Sequence, residues 1–170
     1  MPNYQGSDTE IPTGAGDPKP EFFSDGMRAN CYADAINVVR SGQPSINPGD
    51  LGPKGTELAA FADSEITYQK ACEADGLIYV GKDARTYLHQ PGGYLVAFFK
   101  TILDMHWRRQ DSQGTWSEKL PQGLVYRCEQ QEDQTEGTRT CAFIAYYWVR
   151  PDVVKLQAKI KKSHGGCIIL

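Results

Sequence analysis

Three residues of this sequence have the types and spacing that thiol catalysis requires: Cys31, His106 and Glu118. Cys31 follows Asn30, a good helix N-cap, and a helix N-terminus lowers the pKa of a thiol. His106 lies on a predicted strand, where a general base can be held precisely. Glu118 follows across a predicted turn at Gly114, so its carboxylate could lie beside the imidazole and orient one ring nitrogen.

In this interpretation the Cys31 thiolate attacks the carbonyl of an amide or thioester and forms a thioester intermediate. His106 takes the thiol proton and later activates water, and the Cys31 N–H contributes to an oxyanion hole whose second donor is unassigned. Asp104 is a weaker orienting candidate than Glu118. Each residue also has a plainer interpretation, as a small core cysteine, a structural strand histidine and a surface carboxylate.

The elements that must position these residues follow from the hydrophobic pattern. Helical spacing predicts a helix from Cys31 to Arg40 and a second helix over roughly residues 56–74. Strand patterns follow at 77–80, 93–99, 105–110, 115–119, 124–128 and 141–149. Helices followed by antiparallel strands predict an α+β fold, in which N-terminal helices carrying Cys31 pack on a sheet carrying His106.

The order of helix cysteine, strand histidine and polar residue on the next strand resembles the NlpC-type amidase and peptidase branch of the papain-like cysteine hydrolases. The stretch from His106 to Ser117 also resembles a block in small uncharacterised microbial proteins that carry an upstream Asn-Cys-Tyr motif, here Asn30-Cys31-Tyr32. The resemblance covers roughly residues 28–120. It implies a papain-like fold and a Cys-His dyad or triad acting on a protein or peptide-like substrate.

One position departs from these groups, because their third residue is often His and here it is Glu118. A carboxylate can also orient an imidazole, so the departure weakens the triad without abolishing it. The order of Cys before His argues against the circularly permuted lipid acyltransferases of the same broad fold, in which His comes first.

Composition and charge divide the chain into three parts. Residues 1–22 are polar and rich in Pro and Gly and predict a flexible arm, 23–150 form one α+β domain, and 151–170 form a basic tail. The net charge of −3 gives no general attraction to nucleic acid. The N-terminus does not have the pattern of a secretory signal, and no apolar run approaches the length of a membrane span.

Five cysteines are present, and none forms a CxxC pair or a Cys/His cluster with zinc spacing. We therefore expect no metal and no cofactor. Cys128 and Cys141 flank a polar loop and could form a disulfide across a hairpin, although free buried cysteine is commoner in the cytosol.

The chain ends in Cys167-Ile168-Ile169-Leu170, which matches the Cys-aliphatic-aliphatic-X prenylation signal, and Leu at the last position favours geranylgeranyl. A lipid at Cys167 together with upstream lysines is the two-signal combination that stable anchoring needs. The signal predicts a prenyltransferase as partner, an anionic membrane surface, and the cytoplasmic face of a membrane in a eukaryotic cytosol. The alternative is a short terminal strand with a buried Cys167.

Two functions are therefore open. The first is a membrane-tethered cysteine hydrolase or acyl-transfer enzyme, of the thiol protease or amidase type, which uses Cys31, His106 and Glu118. The second is a non-catalytic prenylated binding module that keeps the fold. Either protein could be native to a eukaryote or a microbial effector delivered into a eukaryotic host.

Overall fold

A computed structural model describes residues 30–38, 45–58, 64–88, 90–100, 104–110, 116–119, 125–128, 142–154 and 156–158. Its elements are α1 (Cys31–Ala35), α2 (Glu65–Ala74), β1 (Ile78–Gly81), β2 (Tyr94–Lys100), β3 (Met105–Gln110), β4 (Trp116–Lys119), β5 (Val125–Cys128) and β6 (Ala142–Val149). Residues 151–154 and 156–158 are also helical. The predicted α+β class with an antiparallel sheet is confirmed. Within these ranges, no helix has the length and apolar character needed to cross a bilayer.

The six strands form one antiparallel sheet in the order β1-β6-β2-β3-β4-β5. Strand β2 is almost entirely buried and pairs with β6 on one side and with β3 on the other. Residues directly opposite each other in a pair share a sheet face, and successive residues alternate between faces. The pairs Phe98↔Trp107 and Phe99↔His106 therefore mark the two opposite faces of the sheet.

The face that α1 covers, here called the helix face, carries one part of the core. Tyr32 of α1 packs on Trp107 with ring centroids 5.0 Å apart, and Trp107 stacks on Phe98 at 4.6 Å. Strand residues of this face in the same core cluster are Tyr94, Val96, Phe98, Trp107, Ala145, Tyr147 and Val149. Helix α1 is only five residues long, so its position depends on this aromatic packing rather than on its own propensity.

The opposite face, here called the loop face, carries a second buried cluster. Its strand residues are Leu95, Ala97, Phe99, Trp116, Tyr146 and Trp148. Ala84 from the turn after β1 is part of the same cluster, and Tyr87 and Leu88 pack against it. The sheet thus has apolar side chains on both faces, which explains why β2 is a continuous apolar run rather than an alternating one.

A buried carboxylate ties the long loop before α2 to both helices. Asp75, the C-cap of α2, is fully buried. Its oxygens accept hydrogen bonds from Tyr32 Oη at 2.7 Å and from the backbone N–H groups of Gly49, Leu51 and Gly52 at 2.8 to 2.9 Å. Burial raises the pKa of Asp75 to about 6, and the hydrogen bonds from Tyr32 and from the backbone N–H groups oppose that rise.

Both helices differ from their predicted lengths. Helix α1 ends at Ala35 instead of Arg40, since Asn37 has a positive φ of 58°, which α-helix excludes. Helix α2 begins at Glu65 instead of near residue 56. Thr56 is held in the loop, where its hydroxyl donates to Gly49 O at 3.0 Å and Pro53 O at 2.7 Å.

Several predictions from the sequence fall on residues outside the described ranges. These are the arm over 1–22, the turn at Gly114, Cys141 of the alternative disulfide with Cys128, and the lipidation tail with Cys167. They stay predictions.

Candidate functional site

Cys31 is the first residue of α1, as the sequence predicted, and its side chain is directed at β3. Asn30 caps the helix by accepting a hydrogen bond from Ala33 N at 3.0 Å. The Cys31 thiol donates to Met105 O, 3.8 Å from the sulfur, and the backbone N–H of Trp107 is close enough to lower the pKa of the thiol. The thiol therefore contacts the β3 main chain on both sides of His106.

The surroundings of Cys31 disfavour the thiolate. Desolvation raises the pKa of the Cys31 thiol to about 12, and the carboxylates of Asp104 and Asp34 add to the rise. The hydrogen bonds from Trp107 N–H and Tyr32 N–H lower it by less. A helix N-terminus was expected to activate this thiol, but a helix of one to two turns supplies too little field to offset the desolvation of a partly buried sulfur.

Charged side chains are buried on the helix face near Cys31. Lys119 and Arg109 are 1% and 0% exposed, and Asp34 of α1 is 1% exposed. Arg109 donates to the Asp34 carbonyl at 3.3 Å. Desolvation lowers the pKa of Lys119, while Asp34 and Cys31 oppose that change. The helix face therefore holds a basic side chain close enough to Cys31 for an electrostatic interaction.

His106 and Glu118 lie side by side, as the spacing predicted, and Arg108 joins them. His106 Nε2 and Glu118 Oε2 are 2.6 Å apart, and Arg108 Nε donates to the same oxygen at 3.0 Å. Arg108 also lies over the Phe99 ring, 5.0 Å from its centroid. Burial alone would raise the pKa of Glu118, but the hydrogen bond with His106 and the charge of Arg108 lower it to about 2.

The register places this cluster on the loop face, away from Cys31. His106 is opposite Phe99, Arg108 is opposite Glu118, and Phe99 belongs to the loop-face core. Cys31 packs against the helix-face core. The structure therefore brings His106 and Glu118 together and directs the His106 side chain to the opposite face of β3 from the core that Cys31 packs against. The physical reason is strand alternation: Trp107 and Met105 face α1, so His106 between them faces the other way.

Comparisons of the chain with protein-family models, with curated protein sequences and with solved structures gave no match. Among the residues that the structure describes, no group of three or more His, Cys, Asp or Glu side chains is arranged to hold a metal ion.

Two contributors to the site were not predicted from the sequence. Arg108 could have been found, because residues two apart on a strand share a face and Arg108 is two residues from His106. Lys119 follows Glu118 and so faces α1, but its burial depends on how α1 lies on β4. No local sequence signal gives that packing.

Glu118→Gln is expected to lower the free energy of unfolding by about 2 kcal/mol at pH 7, because it replaces two charge-assisted hydrogen bonds with weaker ones. The folded-state pKa of Glu118 is about 2, below its ordinary 4.5. The stabilisation is therefore fully present above pH 4.5 and is lost as the pH falls toward 2. Urea denaturation across this pH range measures it.

The matched control is Glu65→Gln, which changes an exposed glutamate in the first turn of α2. An equal effect of the two substitutions at pH 7 would show that the His106–Glu118–Arg108 cluster does not stabilise the fold.

Proposed function

We propose that this protein is a non-catalytic binding module that a prenylated C-terminus directs to the cytoplasmic face of a eukaryotic membrane. The observation that carries the proposal is the orientation of two side chains: strand alternation directs His106 to the loop face, while Cys31 packs against the helix-face core. A thiol nucleophile needs a base within hydrogen-bond reach, which this orientation of the imidazole disfavours. The elevated pKa of Cys31 supports the same proposal, since it leaves the thiol protonated at neutral pH.

We also propose a papain-like relationship for the fold. The support is the arrangement of a cysteine-initiated helix on an antiparallel sheet whose strands follow it in the chain. On this proposal the protein keeps the framework of a cysteine hydrolase, while the strand histidine faces away from the cysteine and has a structural role in an ion cluster. This framework would then serve binding instead of bond cleavage.

The membrane address rests on sequence alone, through Cys167-Ile168-Ile169-Leu170 and the lysines before it. A prenyl chain with adjacent basic residues gives stable attachment to an anionic leaflet. A prenyltransferase is then the enzyme that acts on the tail, and an anionic membrane surface is the partner of the modified protein. The same signal suits a native eukaryotic protein and a microbial effector that uses the host's prenylation enzymes.

A membrane-tethered cysteine hydrolase or acyl-transfer enzyme is the second candidate, and one observation favours it. The backbone N–H groups of Trp107 and Tyr32 lower the pKa of the Cys31 thiol, and the buried Lys119 is close enough for an ionised Cys31 to raise the pKa of its amine. In such an enzyme Lys119, rather than His106, would be the basic group beside the thiol. The substrate would be a protein or peptide-like amide or thioester.

Hydrolysis of p-nitrophenyl acetate and of an N-acetylcysteamine thioester distinguishes the two candidates. For a binding module, the wild type and Cys31→Ala are expected to release product at the same background rate. Loss of a measurable wild-type rate in Cys31→Ala would favour the hydrolase and contradict the proposal. Cys31→Ser is the conservative control, because it keeps the size of the side chain at the start of α1.

A further inference from the structure

A small cavity lies on the loop face, at the turn after β1. Its volume is about 250 Å³, and it is lined by Lys82, Asp83, Ala84, Arg85, Leu88, Leu95 and Tyr146. None of these residues belongs to the Cys31 region or to the His106–Glu118–Arg108 cluster. The cavity is slightly below the usual range of about 300 to 1,000 Å³ for pockets that hold drug-sized ligands, so it suits a smaller molecule.

A β-bulge positions the residues at the rim of this cavity. The pairing of β1 with β6 shifts register between Tyr79 and Gly81, and Gly81, which has a φ of +87°, lies opposite Tyr146. A bulge re-aims the chain that follows it, and here the chain turns back over the loop face at Lys82. The turn is then closed by a hydrogen bond from Tyr87 N to Ala84 O at 2.8 Å.

The floor of the cavity is apolar. Leu95 is fully buried, and Ala84 and Tyr146 are each 7% exposed. The Tyr87 ring packs on Trp148 with centroids 5.4 Å apart, which fixes the turn that forms the wall. A preformed apolar floor favours the hydrocarbon part of a ligand.

Among the described residues that line the cavity, one charge at the rim is not balanced by another. Arg85 and Asp83 neutralise each other, with Arg85 Nε 2.9 and 3.0 Å from the two carboxylate oxygens. Lys82 is exposed at the same rim. The three groups sum to a single positive charge beside an apolar floor.

We propose that this cavity binds a small amphipathic monocarboxylate, with its carboxylate at Lys82 and its hydrocarbon part against Ala84, Leu88 and Leu95. The apolar floor selects against a fully polar anion, and the volume limits the hydrocarbon part to a short chain or one ring. The site does not depend on the membrane address or on Cys31, so the two proposals can fail separately.

Hexanoate, hexanamide and hexylamine are the probes, because they share a chain and differ in charge. Titrations followed by amide NMR shifts of Ala84 and Leu88 are expected to show that hexanoate binds more tightly than hexanamide and that hexylamine binds weakest. Lys82→Met should weaken hexanoate binding about fivefold, the upper range for an exposed ion pair, and leave hexanamide unchanged.

Lys70→Met is the matched control, since Lys70 is an exposed lysine on α2 outside the cavity, and it should change none of the three affinities. Ala84→Phe fills the cavity and should abolish binding of all the probes, with its folded state checked by the dispersion of the same spectra. Equal affinity for the three probes, or hexanoate binding that survives both Lys82→Met and Ala84→Phe, would overturn the proposal.

Discussion

Asp75→Ala is expected to lower the free energy of unfolding by about 4 kcal/mol, since each buried donor left without an acceptor costs about 1 to 3 kcal/mol. The Asp75 carboxylate accepts from Tyr32 Oη and from three backbone N–H groups of the loop over residues 49–52. Gly52 N–H also donates to Gly49 O at 3.2 Å, so the donors that lose their acceptor are the Tyr32 hydroxyl and the N–H groups of Gly49 and Leu51. The loss is a large part of a typical domain stability of about 5 to 15 kcal/mol.

Urea denaturation at pH 7 measures this effect, and two further variants calibrate it. Tyr32→Phe removes only one of the four donors and is expected to cost about 1 kcal/mol, the net value of a single hydrogen bond. Asp152→Ala changes an exposed carboxylate in the helical residues 151–154 and should have little effect. If Asp75→Ala were as mild as Asp152→Ala, the loop could not depend on Asp75.

Cys167→Ser is expected to move most of the protein from the membrane fraction to the soluble fraction of eukaryotic cells. On the proposed prenylation the thiol of Cys167 accepts the lipid, and each methylene of the lipid that enters the bilayer contributes about 0.8 kcal/mol. Lysines near the surface add about 1 kcal/mol each at an anionic leaflet. Without the lipid, only the electrostatic part remains, and it is too weak to hold the protein alone.

Cell fractionation with intact-mass measurement tests this prediction. The wild type should carry the mass of one prenyl group, and Cys31→Ser should keep both the modification and the membrane distribution. An unmodified wild-type mass, or an unchanged distribution of Cys167→Ser, would remove the membrane address from the proposed function.

The strands could be predicted closely from the sequence, because their signals are local. The apolar run from Tyr94 to Phe99 predicted the buried β2, and Met105–Gln110 was predicted at its observed bounds. Turn residues and β-branched or aromatic residues mark these ends within the chain itself. Every predicted strand is present, with bounds that differ by at most one residue.

The helix lengths were less predictable, since long-range contacts decide them. Helical spacing continues upstream of Glu65, but Leu58 N donates to Pro48 O at 3.2 Å and Thr56 bonds back to Gly49. Asp75 directly follows the predicted end of the second helix, and in the structure it organises the loop that precedes that helix. Its donors lie 23 to 43 residues away in sequence, so no local pattern indicates them.

The site was predicted in part. The spacing of His106 and Glu118 predicted their contact, because a hairpin fixes which residues are neighbours across it. The separation of Cys31 from His106 could also have been predicted from the alternation of side chains along β3. Trp107 is the large apolar residue that should face the helix, so its neighbour His106 should face the other way. The resemblance to papain-like hydrolases led instead to the prediction of a Cys31–His106 dyad.

The separation of Cys31 and His106 is tested most directly by the rate at which iodoacetamide alkylates Cys31 at pH 7. Peptide mass spectrometry measures this rate in the wild type and in His106→Ala. With the imidazole on the other sheet face and burial raising the pKa of the thiol to about 12, alkylation should be slower than for free cysteine and equal in the two proteins. Rapid alkylation in the wild type that falls about tenfold or more in His106→Ala would show that His106 activates Cys31, and would contradict the binding-module proposal.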